Sequence, residues 1–330
     1  MEKIENQAEM FANRLKKRFR HLKKWAKRTG AGGFRLYDRD IPEIPLVLDI
    51  YGDVISGALY KRPYEKDENE EAVWLDVMRA SAAQALGLTQ ENIIIKCRER
   101  QKGKSQYEKI AGEGLIRIID EGGLKFKVNL SDYLDTGLFL EKRALRRAVR
   151  EDSAGKRVLN LFCYTGSFSV YAAAGGASGG AVATDSVDLS NTYLGWAKEN
   201  FILNGLQSDK HRLIRSDVSL FLKKAAAAKM RWDMIILDPP AFSNSSMAIA
   251  DIDLRRDYGD LLAACLVLLS SGGKLIFSAG ARSFKATAAE IETALAERFP
   301  GITVTDLSDK YIDEDFHGKK TPKIFLLTKN

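Results

Sequence analysis

From residue 157 to the C-terminus the chain repeats one pattern, a short apolar run followed by a longer segment of helical periodicity. The runs are VLNLF (158–162), AVATDSVD (181–188), RLIRSD (212–217), DMIILD (233–238) and KLIFSAG (274–280). Parallel strands need a crossover between them, so strands alternating with helices predict a parallel, doubly wound α/β sheet. The last two runs, ITVTDLSD (302–309) and KIFLLTKN (323–330), have no helical segment between them. They predict an antiparallel hairpin closing the sheet, where a nicotinamide-binding Rossmann sheet would more often add another crossover helix.

The first part of the chain reads differently, and 330 residues suffice for two domains with ordinary cores. FRLYD (34–38) and PLVLDIYGDVISGALY (45–60) read as strands. Residues 68–88 read as a helix closing at Gly87, and 92–100 as a further strand. LIRIID and LKFKVNL read as a hairpin turning at Gly122–Gly123. The expected division is a small α+β domain over 1–130 and a catalytic domain over 131–330. Ahead of these strands, residues 10–28 carry nine Lys/Arg and no acid, with Phe11, Leu15, Phe19, Leu22 and Trp25 at helical spacing. Such a helix can dock its apolar stripe on its own protein and turn its basic face, Arg18 and Lys24 included, to phosphate.

The charge supports that division of labour. Residues 1–150 hold 30 Lys/Arg against 23 Asp/Glu, whereas residues 151–330 hold 21 of each, so the net +7 lies in the first half. A polyanionic partner is expected there. The loop RERQKGKSQYEK (98–109), with Tyr107 among Arg98, Arg100, Lys102, Lys104 and Lys109, is a further candidate for gripping an RNA backbone. Three scattered cysteines, three histidines and no CxxC pair argue against a disulfide framework or a metal site. The absence of a long apolar run and of an N-terminal apolar core argues against a membrane span or secretion signal, and the expectation is a cytoplasmic protein.

Ligands of open α/β sheets bind outside the carboxyl ends of the strands. The first such end is CYTGSFS (163–169), where Gly166 and small serines let the backbone approach a ligand. It is not GxGxxG, and so suits a ligand without pyrophosphate. The second is DSVDLS (185–190). Asp188 is better placed than Asp185 to accept ribose hydroxyls, although a helix cap is the alternative. At the third, Asp217 can accept from an adenine amino group or cap the next helix. The fourth, DPPAFSNS (238–245), is the most specific: Pro239 and Pro240 remove two donors and stiffen the turn, presenting Asp238 with Phe242 available to stack on a base. These tips together describe S-adenosylmethionine beside a flat acceptor.

The segments VLNLFCYTGSFSV, VDLSNTYLGWAKENFILNGL, DMIILDPPAFSNS, EMFANRLKKRFRHLKKWAKR, FRLYDRDIPE and VNLSDYLDTGLFLEKR resemble the RlmK/RlmI group of class I ribosomal RNA methyltransferases, over nearly the whole chain. The resemblance implies a class I methyltransferase Rossmann-like fold acting on 23S rRNA, with a guanine-N7 branch as the nearest relative. It implies cofactor contacts at Phe139, Tyr164, Thr165, Gly166, Asp188, Asp217 and Asp238, with Arg143 nearby, and a target base facing Asp238, Pro239, Pro240 and Phe242. Two departures stand out. The stretch AAAGGASGGA (172–181) is about four residues longer, which affects the register of Asp185 against Asp188. The second methyltransferase and RNA-binding half of the fused relatives is absent, so RNA capture falls to residues 1–130, to a homodimer, or to a separate partner.

Guanine N7 carries a lone pair and no proton, so its methylation needs positioning and no general base. Cytosine C5 needs a cysteine nucleophile. The relatives that act there carry it at the fifth strand tip, which here reads FSAGARS (277–283). Methylation of an exocyclic amine remains the second enzymatic reading, and an RNA-binding ribosome-assembly factor without catalysis is the non-enzymatic one. A further expectation is that Asp238→Ala abolishes methyl transfer and leaves the fold intact.

Overall fold

The computed structural model describes residues 2–60, 67–98, 114–243, 252–280 and 283–329. The chain folds as two compact units, residues 1–140 with 314–319, and residues 141–313 with 320–330. Residues 131–140, placed with the catalytic part on sequence grounds, thus belong to the first unit.

The first unit opens with helix α1 (Glu2–Thr29), which buries Phe11, Leu15, Leu22, Trp25 and Ala26. That is the apolar stripe expected from the spacing, with Phe19 half-buried at its edge. Strands β1 (Gly33–Asp38), β2 (Leu46–Tyr51) and β3 (Val54–Tyr60) follow as an antiparallel meander. Helix α2 (Glu68–Leu86) then leads to β4 (Ile93–Arg98), which pairs parallel to β3. Asp67 caps α2 by accepting from the amides of Asn69 and Glu70, and Gly87 ends it in the left-handed conformation. The two helices pack on each other: the Trp74 indole donates to Gln7 Oε1 at 2.7 Å and the Ser81 hydroxyl to the Ala8 carbonyl at 2.7 Å. The hairpin β5 (Ile116–Glu121) and β6 (Leu124–Asn129) turns at Gly122–Gly123 as predicted.

Residues 314–319 depart from the central sheet's closing hairpin and are built into this unit. The Arg35 amide donates to Asp315 Oδ2 at 3.0 Å, and the Arg35 guanidinium lies 4.8 Å from the Phe316 ring centroid. Lys319 pairs with Asp40, which also receives Arg14. Arg18 donates to the carbonyls of Leu36 and Asp315.

The second unit begins at α3 (Arg143–Glu151) and runs through β7 (Arg157–Leu161), α4 (Ser167–Ala174), β8 (Ala183–Asp188), α5 (Asn191–Leu203), β9 (His211–Arg215), α6 (Val218–Ala227) and β10 (Trp232–Leu237). The two-residue strands β11 (Phe242–Ser243) and β12 (Ile252–Asp253) pair, and α7 (Leu254–Leu268), β13 (Leu269–Ala279), α8 (Ala288–Ala296), β14 (Ile302–Asp306) and β15 (Lys323–Lys329) complete it. The sheet order is β14-β15-β13-β10-β7-β8-β9. All neighbours from β13 to β9 are parallel, and β15 is antiparallel to both β13 and β14. The α/β class and the closing hairpin are those expected. Chain order reverses between β7 and β10, so the switch point lies where their carboxyl ends separate.

Candidate active site

The β7–α4 loop is held in an uncommon backbone. Phe162 and Tyr164 have φ of +56° and +52°, and Gly166, at the head of α4, has φ of +72°. Left-handed conformation costs a non-glycine residue about 1–2 kcal/mol, so it persists only where surrounding bonds enforce it. Here the Tyr164 amide donates to Asp188 Oδ2 at 2.9 Å, and the Asn200 side chain donates to the Thr165 carbonyl at 2.9 Å. Gly166 is required twice over, because a Cβ there would also lie 2.9 Å from the Ala197 Cβ.

Asp185 and Asp188 separate cleanly. Asp185 is buried within β8, where it receives Arg212 through Nε at 2.6 Å and Nη2 at 2.9 Å, and the Trp232 indole at 2.9 Å. It is committed to the sheet. Asp188 follows Val187, which pairs with Leu161, and so stands at the rim. Its Oδ1 accepts from the Ser190 amide at 2.9 Å, while Ser190 itself caps α5 through its hydroxyl. A carboxylate offers about four acceptor positions, so beyond its backbone amides Asp188 keeps capacity for further donors such as hydroxyls. Burial pushes its carboxyl above the ordinary range, opposed by the amides of Ser190, Tyr164 and Leu189. The long small-residue stretch is absorbed before β8 in a tight turn, where a Cβ on Gly180 would lie 2.1 Å from the Ala173 carbonyl.

Asp217 caps α6, its Oδ1 accepting from the Leu220 amide at 2.9 Å. The capping alternative therefore holds for this residue. Asp238 follows β10, and Pro239 behind it is buried. Its carboxylate pairs with the ammonium of Lys142, a residue that motif reading passed over; the two side chains are 12% and 10% exposed. The only available signal was the sequence LEKR just before α3, where a lysine beside a predicted cofactor segment is unremarkable. Ser278, one residue beyond the Leu237–Phe277 pair, has a fully buried hydroxyl without a hydrogen-bond partner among the described residues.

The remaining sequence candidates divide. The backbone of Phe242 forms β11, and its side chain lies outside what is described, as does that of Arg98. Arg100, Lys102, Lys104 and Lys109 lie outside the described residues altogether. Phe139 belongs to the first unit. Arg143 is buried and donates to Asp313 Oδ2 at 3.2 Å. Arg18 is spent on internal carbonyls, whereas Lys24 is exposed and, with Lys16, Phe19, Arg20, Lys23 and Ala85, lines a hollow of about 380 Å³ on α1 and α2. Among the described cysteines, Cys163 and Cys265 are buried, and burial raises both thiols well above their ordinary range. Neither is a ready thiolate. No helix among the described residues is long and apolar enough to cross a membrane.

Carboxylates at three successive strand tips would repel a pyrophosphate and suit a ligand carrying hydroxyl and amino donors with a positive centre. The comparisons agree with that chemistry. A family model described as S-adenosylmethionine-dependent methyltransferase matches residues 35–294. The ribosomal RNA large subunit methyltransferase K of Neisseria meningitidis is 46% identical over 310 residues, covering 94% of this chain and 84% of that protein. The K/L protein of Ectopseudomonas mendocina is 44% identical over 96% of this chain, which spans only 41% of its length. A crystallised methyltransferase complexed with SAH matches with a TM-score of 0.73 at 27% identity, covering 97% of this chain and 81% of that one. A SAM-dependent methyltransferase from Streptococcus mutans matches at 0.72 and 25% identity, with the same coverage.

Proposed function

The chain belongs to the S-adenosylmethionine-dependent methyltransferase family, and from that premise we propose that it methylates the N7 of a guanine in 23S ribosomal RNA. The ribosomal substrate follows from relatives whose names state it, over most of this chain and of the Neisseria protein. The observation that carries the site is the ordered rim: a strained loop pinned by Asp188, then Asp217, then the Asp238–Pro239–Pro240 turn, around one switch point.

S-adenosylmethionine, when bound, supplies an electrophilic methyl: the base nitrogen's lone pair forms the new bond as the carbon–sulfur bond breaks with its pair to sulfur. The residues of this chain do the rest. Asp188 accepts the ribose hydroxyls, Asp217 Oδ2 accepts an adenine amino donor, and Tyr164, Thr165 and Gly166 bring backbone close to the amino-acid portion. Tyr164 is steadied against Tyr193, with ring centroids 4.5 Å apart. Asp238 and the two prolines form the wall for the base, and Phe242 is the candidate to stack on it. With no proton to remove from N7, rate comes from alignment, and a rigid proline turn serves that better than a mobile base.

The first unit captures RNA. Lys16, Arg20, Lys23, Lys24 and Lys27 recur along α1 and all are exposed, so the helix presents a basic face with no acid among residues 10–28. In this reading Arg98, Arg100, Lys102, Lys104 and Lys109 add further positive charge for RNA, whereas Arg18 serves the unit's interior. A homodimer or a second RNA-binding protein would add to the grip, and a bacterial cytoplasmic setting follows from the substrate.

The deciding experiment maps methylated bases on 23S rRNA incubated with the protein and labelled cofactor. A single 7-methylguanosine is expected; label on an exocyclic amine or on cytosine C5 would replace this reading, and no label together with no cofactor binding by calorimetry would end it.

A further inference from the structure

The core of the first unit closes over most of the apolar stripe of α1 and leaves one aromatic ring partly open. Phe11, Leu15 and Leu22 are fully buried and Trp25 nearly so, whereas Phe19, between Leu15 and Leu22 on the same stripe, is only half-buried. It packs against the core and also lines the hollow between α1 and α2. What α2 offers to that hollow is Ala85, whose methyl group leaves space that a longer side chain would fill. Lys16, Arg20, Lys23 and Lys24 complete the lining, all exposed, with no acid among the described residues there.

A ring set among four cations is more than phosphate binding requires. Duplex RNA offers phosphates and hydroxyls to a protein but keeps its base faces stacked inside, so a ring beside the cations gains nothing from it. A single strand offers both: the backbone meets the cations and an unstacked base finds a π-face. At about 380 Å³ the hollow falls at the lower end of the ~300–1,000 Å³ range of small-ligand sites, which suits one planar group. The Lys23 ammonium lies 5.3 Å from the Phe19 ring centroid. An exposed cation–π contact of this kind is weaker than a stacked base, so an entering base displaces the ammonium towards a phosphate. An anionic membrane, the other partner of basic amphipathic helices, takes up a whole apolar face. In α1 that face is committed to the unit's own core through Phe11, Leu15, Leu22 and Trp25.

We propose that the hollow captures one unstacked base of a single-stranded RNA segment on Phe19, with Lys16, Arg20, Lys23 and Lys24 holding the flanking phosphates. The proposal deepens the reading of the first unit as the RNA-capturing part and rests on it.

The test uses the full chain, a labelled single-stranded oligonucleotide of 23S rRNA sequence and the same strand annealed to its complement, read by fluorescence anisotropy over a range of salt. Phe19→Leu keeps an apolar, helix-favouring side chain without a ring, and Ala85→Leu fills the hollow with every charge in place. Each should weaken single-strand binding about 5- to 100-fold, the worth of one stacked base, and leave duplex binding unaffected. The slope of log affinity against log salt should not change, because no phosphate contact is lost. Phe19→Tyr, which keeps the ring, should bind as the parent does, and Ala85→Leu guards against a variant that loses affinity by folding badly. Parent-like single-strand binding in either leucine variant, or a loss that falls equally on the duplex, overturns this inference alone. So does loss of binding to phosphatidylglycerol vesicles in Phe19→Leu with RNA binding intact, which would assign the hollow to lipid. A salt slope unaltered when the four cations are replaced by glutamine overturns it together with the RNA-capture reading.

Discussion

Two carboxylates three residues apart on one strand have opposite fates, and the difference lies in what each is bonded to. Asp185 receives a guanidinium and an indole inside the sheet, while Asp188 receives backbone amides at the rim. Because burial raises the Asp188 carboxyl, the ionised form that would accept ribose hydroxyls in the proposed site is lost on acidification at a higher pH than for an ordinary aspartate. Cofactor affinity should therefore weaken as pH falls through that raised value, and Asp188→Asn should bind weakly with no such dependence; calorimetry across pH 4–8 checks it. The stability sign is opposite. A raised carboxyl binds its proton more tightly when folded, so its contribution is present at low pH and declines as pH rises through the folded value. Asp188→Asn relieves the buried charge but keeps one acceptor oxygen for the amides of both Tyr164 and Ser190, so the bond lost to the strained loop offsets that gain and the variant should be no more stable than the parent at neutral pH. Asp238 calls for a different substitution from the alanine that its sequence context suggested. Removing its carboxylate takes away the anionic partner of the buried Lys142 ammonium, and breaking a buried pair from one side costs about 3–5 kcal/mol in enclosed cases, less where water reaches it. Asp238→Asn keeps the shape and a hydrogen-bond acceptor. It should lower kcat/KM by tenfold or more, with thermal unfolding shifted less than in Asp238→Ala.

At the scale of elements, α1 does two jobs on two faces. Phe11, Leu15, Leu22 and Trp25 bury against α2 and the four-stranded sheet, while Lys16, Arg20, Lys23 and Lys24 stay in solvent around a shallow hollow. Replacing those four by glutamine should leave unfolding unchanged and reduce the slope of log affinity for 23S rRNA against log salt by roughly 0.7 for each phosphate no longer neutralised. Filter binding from low to moderate salt measures this, and an unaltered slope would remove α1 from the RNA interface. Arg18→Gln should behave in the reverse way, destabilising the unit because its guanidinium serves carbonyls of Leu36 and Asp315. The segment at 314–319 is a second element whose role is structural. Asp315 is fully buried and accepts from the Arg35 amide, so Asp315→Ala leaves that amide without its partner and should cost about 1–3 kcal/mol, read by denaturant unfolding.

For the whole molecule, the consequence is that the first unit is discontinuous. A fragment comprising residues 1–140 lacks Asp315, Phe316 and Lys319, and Asp40 is left with Arg14 alone of its two cationic partners. That fragment should unfold at lower denaturant and be cut by protease faster than the same residues in the full chain. Equal resistance would mean that the inserted segment adds nothing to stability.

Local periodicity was enough to identify the sheet, its parallel strands and its closing hairpin, because burial on both faces makes each strand a short apolar run whose period is visible without partners. The strand tips were legible for a related reason: topology alone assigns the carboxyl ends of a doubly wound sheet to ligand binding. Three things were decided only in three dimensions. Asp185 and Asp188 are separated by strand register and by Arg212 and Trp232, which are distant in sequence. Lys142 and Asp238 meet across 96 residues. Arg18, one basic residue in a basic helix, is turned inward by carbonyls of β1 and of a segment nearly 300 residues away. Patterns within a segment record whether a face is buried, but which charge pairs with which depends on long-range packing, to which a single segment carries no clue.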